Sequence, residues 1–313
     1  YSLGTAFDGG AVSSTLCPLE ITVPATAVIG FIKMRVLSRY GSTGSSCLTA
    51  GVDGEFEDYG LNIVSNSWIG GVSNAWETAG NWSTGSAPGA SSAVEIPSGP
   101  TNNPVITSSV TIGDLITKSG SDLTISSNSL TVSGKVDVSG TINIGAAIFN
   151  SDGEFDATPG TIDMTNSSAN LVLSASAINL GVLDVAMGTV TYDGVTQNVT
   201  SDSYNDLSFS TAGTKTATGN VIVNGNLATA ATSACKFDLA TYDLNVAGNL
   251  TVGATNGLDV SNASCLLTFD GTSDQTINHP GNTGTSTETL VFEDFSGFSV
   301  GELTETVSTT STY

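Results

Sequence analysis

The sequence predicts an all-β chain, a partial β-sandwich followed by a parallel β-helix, on three observations. From Leu123 to Ile144 the apolar residues come in pairs two apart: Leu130/Val132, Val136/Val138 and Ile142/Ile144. The pairs are spaced by six residues, with Ser133-Gly134 and Ser139-Gly140 between them. Residues two apart share one face of a strand and Ser-Gly marks a bend, so these are very short strands in series. The frame apolar-x-apolar-x-Gly-x-apolar returns at Val221/Val223/Gly225/Leu227 and at Leu244/Val246/Gly248/Leu250, 23 residues apart, a suitable length for one coil of a solenoid. Finally, 36 glycines and abundant Ser, Thr and Asn supply bends at short intervals, and no amphipathic helix of ten or more residues stands out.

Cross-strand geometry separates the competing architectures for this stretch. A two-residue hairpin at Ser133-Gly134 would pair Val132 with Lys135 and Leu130 with Asp137, placing charges on the apolar face. A three-residue loop would pair Val132 with Val136, so a meander survives this test, but strands of three residues give it few ladder hydrogen bonds. Stacked coils remove that difficulty because each short strand pairs with the coils above and below. Side chains of Leu130, Val132, Val136, Val138, Ile142, Ile144, Val246 and Leu250 should then point inward, and those of Lys135, Asp137 and Asn143 outward.

Taken in order, residues 1–64 form the first unit. Ile32, Met34 and Val36 alternate with Lys33 and Arg35, the pattern of a half-buried strand with the cations outside. Val23-Pro24-Ala25-Thr26-Ala27, Met34-Arg35-Val36, Cys47 and Gly54-Glu55-Phe56-Glu57-Asp58-Tyr59 together resemble the C-terminal part of the GEVED-type domain of secreted and surface bacterial proteins. Phe56 replaces the usual small aliphatic residue, and the acidic loop of that family's N-terminal half is absent. This resemblance implies that position 1 falls inside a domain. Asp53, Glu55, Glu57 and Asp58 put four carboxylates within six residues, and alternation sets Glu55 and Glu57 on one face, a candidate Ca²⁺ site. The competing reading is a solvated acidic edge balanced by Lys33 or Arg35. Asp-Gly-Glu-Phe recurs at Asp152 to Phe155, followed by Asp156, a weaker candidate.

Residues 65–104 are a Trp-rich linker and cap. All three tryptophans, Trp68, Trp76 and Trp82, fall within fifteen residues. Trp68-Gly70, the run Trp76 to Pro88, Ile96-Pro97-Ser98-Gly99 and Asn103 to Ile106 resemble an element of giant surface adhesins of gliding Gram-negative bacteria that use the type IX secretion system, where it leads into β-helical repeats. Two roles compete for the tryptophans. Flat rings match the apolar faces of pyranoses and would contact glycan, or the rings close the open end of a solenoid and shield its first coil.

Residues 105–313 carry the β-helix and a Ser/Thr-rich tail. A longer repeat overlies the coil frame: residues 190–199 parallel 267–277 and residues 204–209 parallel 287–292, each unit having an aromatic-Asp-Gly turn, a Gln and a following strand. At about 20 to 25 residues and about 4.8 Å per coil, the region holds roughly 8 to 10 coils.

Seven Lys and Arg face 29 Asp and Glu, a net charge of −22. Such a surface repels phosphate backbones and anionic headgroups, which disfavours nucleic-acid partners and electrostatic membrane binding. No apolar run is long enough to insert in a bilayer, and the chain carries no recognisable signal peptide, as expected of a processed or partial chain. Cys17 and Cys47 are separated as widely as Cys235 and Cys265, neither with zinc-site spacing, so two local disulfides and an oxidising, extracellular location are expected. His279 is the only histidine, and no arginine follows Arg39, leaving Lys118, Lys135, Lys215 and Lys236 in the solenoid. Ser-His-Asp chemistry and the binding of uronate carboxylates by cations thus lack their residues.

These readings converge on a non-enzymatic structural or adhesive segment of an extracellular surface adhesin or filament, with no catalytic residues and no cofactor unless Ca²⁺. Its partners would be other modules or subunits of the filament and surface polysaccharide. The alternatives are a β-helical polysaccharide lyase or hydrolase and a Ca²⁺-dependent glycan-binding module.

Overall fold

The computed structural model describes residues 30–39, 54–63, 65–184, 187–230, 234–253, 257–260, 264–273, 275–278 and 303–305. The chain divides into two compact units, residues 1–65 and 66–313. No α-helix occurs among the described residues, and none of their helices is long and apolar enough to cross a membrane.

In the first unit Gly30–Arg39 pairs antiparallel with Gly54–Ile63, Arg35 lying opposite Asp58 and Met34 opposite Tyr59. Ile32 and Val36, expected on a half-buried face, are 41% and 46% exposed in this ribbon. A two-stranded sheet by itself covers little of either face.

In the second unit every ladder pairs a strand with the next coil, in parallel. Successive coils open with Ala93–Ile96, Asp114–Thr117, Val136–Val138, Phe155–Asp156, Ile178–Asn179, Gln197–Val199, Gly213–Ala217, Cys235–Asp238 and Leu258–Asp259. These nine rungs span about eight turns. Val221 pairs with Leu244, Val223 with Val246 and Leu227 with Leu250, so the two sequence frames sit directly on one another. Val136 pairs with Leu115 and Phe155 on the neighbouring coils, the arrangement that replaces a meander. The eight side chains expected inside are all buried, whereas Lys135 is exposed and Asp137 and Asn143 are half-exposed. At the start of the first face Asn66–Ser67 pairs in parallel with Ala93–Ile96, which pairs in turn with Asp114–Thr117.

Each coil has three faces, and they are not equally continuous. The third face runs unbroken from Val110–Ile112 through Gln275–Asn278. The first face is one sheet as far as Ile178–Asn179 and resumes as a separate sheet at Gln197–Val199. The second face breaks at the same level, between Val182–Asp184 and Ser203–Tyr204. The step there is also short. Thr189 pairs with Asp206 only 17 residues on, against 23 for Leu227 to Leu250. The third face keeps its ladder across this step, while the first and second faces lose theirs.

Candidate functional site

The three tryptophans form a plug rather than a sugar platform. Trp68, Trp76 and Trp82 are each 1% exposed, so no ring face is open to a pyranose, which corrects the glycan-contact reading. Trp82 packs edge-on against Trp76 at 4.6 Å and against Trp68 at 5.0 Å. Trp68 Nε1 donates to Asn102 O and Trp82 Nε1 to Trp76 O, both at 2.7 Å. Buried Asn81 holds the surrounding loop: its Oδ1 accepts from Val72 N and Ser73 N, and its Nδ2 donates to Ala75 O. Trp76 Nε1 is buried without a hydrogen-bond partner. Trp82→Phe should therefore cost about 1 to 2 kcal/mol more than Trp76→Phe in urea melts, because it alone leaves a buried carbonyl unpaired.

Polar side chains elsewhere in the solenoid hold coil to coil. Gln197 accepts from Gly194 N at 2.7 Å and donates to Leu173 O and Ala175 O of the coil before. Gln275 repeats the clamp, accepting from Gly271 N and donating to Val246 O and Gly248 O. The repeat read between residues 190–199 and 267–277 is thus a shared corner device. It is not one corner seen twice, because Gln197 opens a strand of the first face and Gln275 a strand of the third. A ladder of side-chain acceptors also climbs one edge: Asp206 Oδ1 accepts from Asn226 N, Asn226 Oδ1 from Asn249 N, and Asn249 Oδ1 from Thr276 N. Reasoning from the sequence missed these residues, although the Gly-Asn-Leu shared by Gly225 and Gly248 was their signal.

The two solenoid lysines of the later coils differ in environment. Lys236 reaches Asp259 at 2.5 Å and Asp238 at 3.6 Å, two carboxylates stacked in register, and the hydrogen bond it donates to Asp259 holds its pKa above the ordinary lysine value of 10.5. Lys215 points inward and is fully buried, its Nζ donating to Thr211 O and Ala212 O, and burial pushes its pKa down. The signs are opposite. Stability from Lys236 is complete below pH 10.5 and lost as pH rises through its folded pKa, whereas burial of Lys215 favours the neutral amine, so its contribution grows as pH rises from its folded pKa toward 10.5. Chemical denaturation across the alkaline range should show Lys236→Met removing the fall in stability and Lys215→Met removing the rise.

Of the four acidic residues proposed as calcium ligands, the side chains of Glu57 and Asp58 are described. Asp58 accepts from Nε and Nη2 of Arg35, at 2.7 and 2.9 Å, a hydrogen-bonded fork that lowers its pKa. Glu57 lies on the other face, where it accepts from Tyr59 Oη. Asp53 and the side chain of Glu55 lie outside the described residues, as do Cys17, Cys47 and His279. No group of three or more ligating side chains forms a metal site among the described residues.

Cys235 and Cys265 are free thiols, which corrects the disulfide expected between them. Stacked positions here are about one coil apart, as with Phe237 over Leu258 and Leu244 over Leu267, so a separation of 30 residues overshoots. Cys235 opens a strand of the first face with its Sγ toward Phe209 O, and Cys265 precedes a strand of the second face with its Sγ toward Ala240 O.

One groove opens on the solenoid flank, with a volume of about 310 Å³. It lies at the break in the first face, lined by Glu154, Asp156, Ser176, Ile178, Asn179 and Asn198 among others. Phe155 in its lining is itself buried, so the groove offers carboxylates, amides and hydroxyls but no exposed ring.

The architecture defines the chain as an antiparallel ribbon unit joined to a parallel β-solenoid with a tryptophan plug. Residues 3–62 match the GEVED domain model, and residues 67–175, the plug and the first four coils, match a family described as a domain of unknown function, DUF8693. No curated protein and no solved structure matches the chain.

Proposed function

We propose that this chain is a structural and adhesive segment of a surface adhesin or filament, exported through the type IX pathway of gliding Gram-negative bacteria, and that it performs no covalent chemistry. The carrying observation is how the solenoid uses its polar side chains. Gln197, Gln275, Asp206, Asn226 and Asn249 are committed to bonds between coils, the interactions that let a chain build length by adding coils. The GEVED match supports the surface setting. Its partners are neighbouring modules or subunits and surface polysaccharide, with the acidic exterior keeping the rod soluble.

The groove favours a second reading, a glycan-binding module or a polysaccharide-degrading enzyme. Glu154 and Asp156 line it, but they sit two apart on one chain segment and project the same way. Glycoside hydrolysis places two carboxylates on opposite sides of the scissile bond, so this pair suits display better than catalysis. Purified protein should be incubated with acidic and neutral polysaccharides, with and without Ca²⁺. No product release is expected. Release that disappears in Glu154→Gln or Asp156→Asn would overturn the proposal in favour of an enzyme, and Ca²⁺-dependent binding without turnover would move it to a glycan-binding module.

A further inference from the structure

The break between the fifth and sixth coils leaves two strand edges facing one groove. Ile178–Asn179 is the last strand of its sheet and Gln197–Val199 the first of the next. Phe155 N and Ala157 N donate to Ala177 O and Asn179 O, which turns the backbone of the intervening Ile178 the other way, toward the groove. Thr218 N donates to Val199 O, which turns the backbone of Asn198 toward the groove from the opposite side. Both residues line it, and among the described residues no strand pairs with either edge there. Unpaired strand edges are templates for another strand. The DUF8693 match ends at residue 175, ahead of the paired strand Ile178–Asn179 and of the break that follows it.

We propose that this groove accepts an extended, basic segment of a partner protein by strand addition, completing the interrupted first face. Main-chain hydrogen bonds from Ile178 and Asn198 would hold the segment, as in other cases of β-augmentation. Side chains on its outer face would meet Glu154 and Asp156, so lysine or arginine at alternate positions fits. A second copy of this chain is a poor donor, with seven cationic residues against 29 acidic ones. A glycan is also less suited, because no exposed aromatic ring lines the groove. The inference stands whether or not the rod is adhesive.

The test uses a short fluorescent peptide of alternating lysine and valine, the same peptide with alternate amides N-methylated, and a glutamate-valine version. Anisotropy titrations with the full chain should give saturable binding of the first, at least tenfold weaker binding of the methylated peptide, and none of the acidic one. Glu154→Gln should weaken binding several-fold. Hydrogen exchange of the unmodified protein should slow at Ile178 and Asn198 when the first peptide is present. Equal binding of the methylated peptide would reduce the interaction to charge adsorption and overturn the proposal, as would protection confined to other strands or no binding of the first peptide.

Discussion

Val138→Asp is expected to destabilise the solenoid by about 3 to 5 kcal/mol, the cost of leaving an unpaired charge in an apolar interior. Val138 is fully buried, paired in register with Thr117 on the coil before, and its carbonyl accepts from Gly160 N on the coil after. A carboxylate there has no buried cation on its own or the preceding coil, since Lys118 and Lys135 are both exposed. The neighbour one position back behaves differently. Asp137 projects outward, stacked between Ile116 and Asp156, so Asp137→Asn should change stability by less than about 0.5 kcal/mol. Urea melts of the two variants check the pair, and equal effects would mean that the alternation is misassigned.

Gly248→Ala is expected to cost about 2 to 3 kcal/mol through overpacking between coils. A Cβ at Gly248 would approach the carbonyl of Gly225 more closely than 3.0 Å, a separation that real Cβ atoms essentially never show. Gly248 N donates to Gly225 O at 2.8 Å, so the clash falls on the bond that joins the two coils. Backbone on both sides cannot swing away as a side chain would, and relief requires the coils to part. Gly89→Ala, where a Cβ would meet nothing within 4 Å, is the control and should stay within about 0.5 kcal/mol of the parent. A loss of similar size at both positions would mean that contact between coils is not its source.

How much of this was legible in the sequence depends on what alternation can encode. The spacing of Val221, Val223, Gly225 and Leu227 against Leu244, Val246, Gly248 and Leu250 identified the stacking, because identical frames that touch must carry identical inward residues. Alternation also separates inside from outside at Val138 and Asp137. It does not say which corner of a coil a motif occupies, so the matched Asp-Gly and Gln segments read as one repeat although they serve different faces. Nor does equal separation of cysteines reveal coil length, and Cys235 and Cys265, though 30 residues apart like Cys17 and Cys47, are free thiols on different faces of the fold. Aromatic rings look alike whether they bind sugar or fill space, and only burial decided Trp68, Trp76 and Trp82. The groove was invisible for a different reason. It lies where the first face is interrupted between Ile178–Asn179 and Gln197–Val199, and no local pattern in the sequence marks that interruption.

The claim on which everything else rests is that each short strand finds its partners one coil away. Nuclear Overhauser contacts in the isotopically labelled full chain test it at the point where two architectures diverge. The solenoid predicts backbone contacts of Val136 with Leu115 and with Phe155, in parallel register, and of Leu227 with Leu250. Close Hα–Hα contact between Val132 and Val136, with none between Val136 and Phe155, would contradict it and restore the antiparallel meander.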